Sequence, residues 1–219
     1  MLLLAFPISM AYVFVFGGDR ALSTTWLVTT FIVAIWGLFV TPWLPLKSLQ
    51  NIGKMGRLEL CVTAWFWVCF MSAVGWELPW ILMTDKIRAA KDEMWAYPWW
   101  AYIDGGDFRY KRFDCTVGSI ETLNVASGLM GLSALLVWLR SRRTSVTAKL
   151  LLMLSSAASF FLTMVYYLGQ TCAGFVDVGH DFFDLYIRFI LLNSPWVVMP
   201  VVVWAWGIAT FARQQRVAR

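Results

Sequence analysis

Residues 60–83 read LCVTAWFWVCFMSAVGWELPWILM, an apolar run broken by one charged side chain, Glu77, and one proline, Pro79. The run exceeds the ~20 residues that cross a ~30 Å hydrocarbon core, so it reads as a spanning helix with a carboxyl inside it. Four more runs of this kind lie at about 23–44, 117–139, 150–169 and 185–211. A shorter run, 1–16, ends at Gly17-Gly18. No basic segment precedes it and no A-x-A cleavage site follows, so it is expected to stay as an extra peripheral helix. The expected fold is all-α: a polytopic membrane protein with a five-helix transmembrane bundle and an extra short N-terminal helix. An N-terminal apolar segment, 1–20, precedes a transmembrane domain, 21–219.

Composition agrees. The 219 residues are 60% hydrophobic and 14% charged, against about 45–50% and about 25% in soluble domains. A soluble fold of this size could not hide that much apolar surface, which excludes a soluble enzyme, a disordered chain and a disulfide scaffold. The net charge of +5 does not point to nucleic acid, because the basic residues sit between apolar runs and no aromatic-interleaved basic patch stands out. Lys47, Lys54 and Arg57 follow the first span, Arg140, Arg142, Arg143 and Lys149 follow the third, and Arg213, Arg216 and Arg219 form the tail. The opposite side carries Asp177, Asp181 and Asp184 and the long, charge-balanced connection 84–116. The carboxyl end is therefore expected in the cytoplasm, in an endoplasmic reticulum membrane if the cell is eukaryotic and an inner membrane if it is bacterial. The long connection holds Trp95, Tyr97, Trp99, Trp100 and Tyr102 and is expected to pack at the interface as a lid or re-entrant element.

A carboxyl within a span is costly, and function is its default reading. Glu77 lies about six residues before the second span leaves the membrane, and Glu121 about four residues after the third enters from the same side. At 1.5 Å per residue the two sit at similar depth, within ~10 Å of one surface, and can share a pocket. The alternative is a pair of snorkelling or helix-bonding polar groups. Ser159, Thr163, Tyr166 and Gln170 line one face of the fourth span, and Asn124, Asn193 and Trp196 fall in the same layer. Interhelical hydrogen bonding is the competing reading of the Ser/Thr stripe. Pro79 frees the Gly75 carbonyl beside Glu77, and Pro195 and Pro200 act likewise on Leu191 and Trp196. Arg188 is expected to pair with Asp184 one turn away. Trp76, Trp80 and Trp196 are candidates to face a cation.

Other chemistry is set aside. His180, between Asp177 and Asp181, reads as a loop hydrogen-bonding residue, and no metal site is expected. The four cysteines lack C-x-x-C spacing. Cys115 and Cys172 fall on one side and are either paired or free. No nucleophile elbow, phosphate loop or dinucleotide fingerprint occurs, and no cofactor is expected.

Several stretches resemble one family. Trp65-Phe66-x-Val68-Cys69 followed by Glu77 is similar to the second span of the emopamil-binding-protein family, the EXPERA-domain proteins. Trp100-x-Tyr102, Gly106-Asp107-x-Arg109-Tyr110, Asp114 and Glu121-Thr122 resemble its central signature. Tyr166-x-Leu168, Gly174-Phe175, Gly179-His180 and Asn193-x-x-Trp196 with Pro200 complete the series, which covers the chain from about residue 23 onward. The family includes the sterol Δ8–Δ7 isomerase and the sigma-2 receptor. The resemblance implies a five-span fold, an intramembrane cavity and no cofactor. It also implies two essential carboxyls at Glu77 and Glu121, substrate contacts from Asn193 and Trp196, and binding of cationic amphiphilic amines. One position departs: the isomerase has a histidine one turn before the first glutamate, where this chain has Ala73. Sterol Δ8–Δ7 isomerisation is accordingly expected to be weak or absent, with a gain on Ala73→His.

The expected function is an intramembrane isomerase that moves a carbon–carbon double bond in a sterol or related terpenoid by protonation and deprotonation. The alternative is a non-catalytic sterol-, lipid- or amine-binding protein. Glu77 and Glu121 are the candidate catalytic residues; Trp76, Trp80, Asn124, Tyr166, Asn193 and Trp196 are the candidate substrate contacts. Expected partners are the hydrophobic substrate and the lipid bilayer, with a homodimer left open.

Overall fold

The computed structural model describes residues 2–112 and 114–217. Arg219 and the Arg216 side chain, part of the basic tail, lie outside the described residues, as does Met1. The chain runs through α1 (Leu2–Phe14), α2 (Arg20–Val40), α3 (Lys54–Ser72), a π-helical turn (Ala73–Glu77) and α4 (Leu78–Ala89). It continues through α5 (Tyr97–Ile103), α6 (Cys115–Arg140), α7 (Val146–Cys172), a second π-helical stretch (Phe183–Leu191) and α8 (Pro195–Val217). Five segments are long and apolar enough to cross a membrane: Arg20–Trp43, Lys54–Ala89, Cys115–Arg140, Val146–Cys172 and Phe183–Gln214. Each contains one of the five expected spans almost entirely. The second is longer than expected, because α4 continues past a break at Met83, whose backbone leaves the helical region at φ −128°, ψ 21°.

Side chains close the exposed helix ends. Asp19 accepts from the Leu22 amide, Asp114 from those of Thr116 and Val117, and Ser145 from that of Ala148. Each satisfies donors that the first helical turn leaves free. Pro195 opens α8, and the Leu191 carbonyl accepts from the Ser194 hydroxyl at 2.6 Å and the Ser194 amide at 3.3 Å.

Between lipid-facing helices the hydrophobic effect gives little, so close packing and interhelical hydrogen bonds hold the bundle. α6 supplies both. Ser127 Oγ donates to the Ser155 carbonyl at 2.9 Å, and Ser155 Oγ returns a bond to the Ser127 carbonyl at 2.8 Å. Gly128 lies against the π-helical turn: a methyl there would sit 2.6 Å from the Ala73 Cβ. Two aromatic-rich cores result. At the basic end Trp65, Trp138 and Trp206 are fully buried, the last two with ring centroids 5.2 Å apart. At the opposite end Trp80, Ile87, Ile103, Val117 and Phe189 are fully buried.

The 84–116 connection folds inward as expected of a lid. The Trp100 indole donates to the Ile87 carbonyl at 2.7 Å, and the Trp99 indole to the Trp76 carbonyl at 2.9 Å. Its far end is tied to the 173–182 loop by the Phe108 amide on the Asp177 carbonyl, 2.6 Å, and the Gly179 amide on the Gly105 carbonyl, 3.0 Å. Arg188 pairs with Asp184 at 2.6 Å. α1 is less peripheral than expected: Ala5 is buried against a cluster with Leu27, Tyr97 and Ala101, and Phe6 reaches the central cavity.

Gly128→Ala is expected to destabilise the purified protein by about 1–3 kcal/mol, the usual cost of overpacking. Gly37→Ala, where a Cβ meets nothing within 4 Å, is expected to be neutral or mildly stabilising. Thermal unfolding of both variants in detergent, followed by tryptophan fluorescence, checks the contrast.

Candidate functional site

A cavity of about 860 Å³, within the ~300–1,000 Å³ common for ligand pockets, lies between α2, α3, the π-helical turn, α5, α6, α7 and α8. Its flank is apolar. Leu38, Trp67 and Met71 line it and also stand exposed on the outer surface of the helices, so the cavity opens sideways where lipid would lie. Its inner end is polar. Glu77, Glu121, Asn124, Thr163, Tyr166 and Asn193 meet there, with the rings of Trp76, Tyr102, Tyr110 and Trp196.

The two carboxyls are 6% and 5% exposed and line the same cavity. Each has one oxygen tethered by a hydroxyl. Ser72 Oγ donates to Glu77 Oε1 at 3.0 Å, and the Tyr110 hydroxyl donates to Glu121 Oε1. Glu77 Oε2 and Glu121 Oε2 have no hydrogen-bond partner among the described residues, nor has Asn124 Oδ1.

The lid supplies much of this end. Tyr102 and Tyr166 hydroxyls are 2.6 Å apart, and Asn193 Nδ2 donates to the Tyr102 oxygen at 3.2 Å and to the Phe189 carbonyl at 2.7 Å. Trp76 meets Tyr102 and Tyr110 edge-on, with centroids 5.7 and 5.3 Å apart. Burial, with the neighbouring Glu121 charge next, pushes the Tyr110 phenol well up, so it remains a donor at physiological pH. Burial and then the Asp107 charge act on Tyr102 in the same direction.

Asp107 and Arg109 hold the turn that carries Tyr110. The carboxylate accepts from the guanidinium at 2.6, 3.0 and 3.1 Å and from the Arg109 amide at 2.9 Å, with both side chains buried. Burial alone would lower the Arg109 guanidinium, but the Asp107 carboxylate more than offsets this and holds it above its ordinary value. Arg109 also lies over the Tyr166 ring, 4.9 Å from its centroid.

Of the sequence-predicted contacts, Trp76, Asn124, Tyr166, Asn193 and Trp196 line the cavity beside Glu77 and Glu121. Trp80 does not. It is fully buried with its ring 4.8 Å from Tyr110, because the lid brings Tyr110 into the wall and Trp80 packs behind it. The α7 stripe divides: Thr163 and Tyr166 line the cavity, while Ser159 lies 3.3 Å from Ser127 between the helices. Gln170 is buried outside the cavity. Cys115 and Cys172 are free and exposed, and His180 is exposed. Sequence reading did not single out Ser72. Tyr102 and Tyr110 entered it only within aromatic or family-like stretches.

From the sequence, a histidine at position 73 is expected to stand one turn from Glu77. Residues 73–77 are π-helical, with the Leu78 amide bonded back five residues to the Ala73 carbonyl. Ala73 is 1% exposed, lies against Gly128 and does not line the cavity.

Together, the fold and the site define a multi-pass helical membrane protein with an acidic-ended cavity open to its lipid-facing side. No family model matches the chain. It is similar to the 3-beta-hydroxysteroid-Delta(8),Delta(7)-isomerase of Mus musculus, 27% identical over 173 residues, which are 76% of this chain and 71% of that protein. The likeness points toward the sterol isomerases.

Two outcomes follow from this geometry. Asp107→Ala leaves the buried Arg109 charge unpaired, so a loss of about 3–5 kcal/mol is expected in thermal or denaturant unfolding. Ala73→His is expected to lower folded yield in size-exclusion profiles, since an imidazole has no room against Gly128, and to confer no gain in sterol turnover.

Proposed function

We propose that the chain is an intramembrane isomerase of the emopamil-binding kind, moving a carbon–carbon double bond in a sterol or related terpenoid. The observation that carries this reading is the pair of buried carboxyls on one apolar cavity, each with one tethered and one unpartnered oxygen. Likeness to the mouse sterol isomerase supports it.

Two neighbouring carboxyls in low dielectric hold one proton between them at the lowest electrostatic cost, which places an acid beside a base. The acid adds its proton to one alkene carbon and the neighbouring carbon becomes cationic. The base removes a proton from the carbon next to it, and the electron pair of that C–H bond forms the new double bond. Substrate gains and loses one proton, and the carboxyls exchange roles with no net consumption. General acid–base groups of this kind contribute typically about 10²–10⁴-fold. Rings facing the cavity, Trp76, Tyr110 and Trp196, each stabilise a cation by about 0.5–2 kcal/mol. The apolar flank admits the substrate from lipid and keeps out water that would trap a carbocation.

A second reading, a non-catalytic sterol or amine binder, is favoured by one observation. The group bonded to Glu77 is the Ser72 hydroxyl, which is a poor proton source beside an imidazole.

Expression in cells lacking sterol Δ8–Δ7 isomerase, with product double-bond position read by mass spectrometry, separates the two. The proposal expects turnover of a Δ8-sterol, incorporation of one deuterium in heavy water, and loss of at least about 10²-fold in Glu121→Gln. Glu121→Gln is also expected to abolish binding of N,N-dimethyldodecylamine to purified protein, since a desolvated ammonium needs a paired carboxylate. Wild-type binding without turnover would select the binder, and unchanged amine affinity in the variant would remove Glu121 from the site.

A further inference from the structure

Ser72 is bonded to a carboxyl five residues ahead on its own helix. On an α-helix those two positions stand about 140° apart and do not meet. The π-helical turn closes that angle, because its i→i+5 bonding brings residues five apart onto one face. The turn is built into the chain: the Leu78 amide bonds to the Ala73 carbonyl, and Pro79 just beyond has no amide to donate.

The direction of the Ser72 hydroxyl is a second observation. Many helical hydroxyls donate to the carbonyl four residues back, as Thr63 does to Glu59, Thr122 to Gly118, Ser133 to Leu129 and Thr163 to Ser159, while Ser127 and Ser155 donate to carbonyls of the neighbouring helix. Ser72 instead donates to Glu77 Oε1 at 3.0 Å, lines the cavity, and leaves Glu77 Oε2 unpartnered.

We infer that Ser72 is a positioning residue for Glu77. It fixes the rotation of the carboxyl by holding one oxygen, presents the other to the cavity, and stabilises the ionised form that accepts a proton. This inference rests on the reading of Glu77 as one of the two proton-handling carboxyls. The other titratable groups facing Glu77 are Glu121 from α6 and Cys69 from α3, and the variants below leave both in place.

The test uses the full chain in lipid nanodiscs and dicyclohexylcarbodiimide, a hydrophobic reagent that modifies protonated carboxyls. Modification at Glu77 and at Glu121 is followed separately by peptide mass spectrometry as a function of pH. In Ser72→Ala the Glu77 profile is expected to move to higher pH by about one unit, the weight of one hydrogen bond to a charged group, while Glu121 keeps its profile. Ser72→Thr restores the wild-type profile and Ser72→Cys, a weak donor, falls between. The thermal midpoint, read in parallel, falls by no more than a few degrees, and a merely structural role would not predict a displaced Glu77 profile beside an unmoved Glu121 profile. A Glu77 profile unmoved in Ser72→Ala overturns the inference; should that variant fold poorly, an unmoved profile in Ser72→Cys does the same.

Turnover of a Δ8-sterol by the same variants separates this inference from the isomerase reading. Where the wild type isomerises, Ser72→Ala is expected to be about tenfold slower with unchanged amine affinity. A displaced profile in a protein that turns over no Δ8-sterol sustains the role of Ser72 and overturns the isomerase reading. Turnover with an unmoved profile does the reverse.

Discussion

A carboxyl enclosed by apolar helices must find hydrogen-bond donors inside the protein or cost several kcal/mol, and this chain encloses two. Much of the architecture can be traced to that constraint. Glu121 is satisfied by Tyr110, which belongs to a connection outside the spans. The hydroxyl arrives only if the segment between the second and third spans, residues 90–114, turns inward. The core of Trp80, Ile87, Ile103 and Val117 makes that turn favourable, and the Asp107–Arg109 pair holds its last bend. Glu77 is satisfied within its own helix, and there the backbone gives way: residues 73–77 widen to a π-helical turn so that Ser72 can reach. One carboxyl is met by moving a loop, the other by changing a helix.

The parts of this arrangement legible in the sequence are those fixed by local composition or by helical rise. The five spans follow from apolar run length, and the shared depth of Glu77 and Glu121 follows from 1.5 Å per residue counted from the span ends. Side-chain contacts that depend on register or distant packing were not legible. Trp80 was read as facing the cavity because it lies near Glu77 in sequence. No spacing rule could show that Tyr110, thirty positions on, would enter the wall in front of it. Pro79 announced a lost backbone bond, but a lost bond is met equally by a kink or by an inserted residue. Only the second choice turns residue 72 toward Glu77 and residue 73 toward Gly128. The thirteen residues of α1, mostly apolar, likewise show its helicity and not its partners, so the reach of Phe6 into the cavity has no local sign.

The π-helical turn also bears on Ala73, the one position where the sequence departs from the pattern it otherwise resembles. Counted on an α-helix, Ala73 stands in a histidine's place and looks like a missing functional group. Counted on this backbone, the place beside Glu77 belongs to Ser72, and Ala73 has become a packing residue against α6. Small side chains at 73 and 128 are then one feature, a close approach of two helices.

What the cavity lacks is as informative as what it holds. Tyr102, Tyr166 and Asn193 hydrogen-bond to one another or to the Phe189 carbonyl. Among the described residues, the buried cavity-lining side-chain atoms without a partner are Glu77 Oε2, Glu121 Oε2 and Asn124 Oδ1, all oxygens and two of them carboxyl oxygens. Unspent acceptors with no matching donors set the polarity of whatever fits: the complement is a proton donor or a positive charge on an otherwise apolar body. A neutral hydrocarbon would leave those oxygens unpaired, at about 1–3 kcal/mol for each unsatisfied group, and a carboxylate would add repulsion. A ring system that becomes cationic during a double-bond shift meets the requirement only at that moment. Such timing favours the transition state over the ground state, which is the condition for catalysis rather than mere binding.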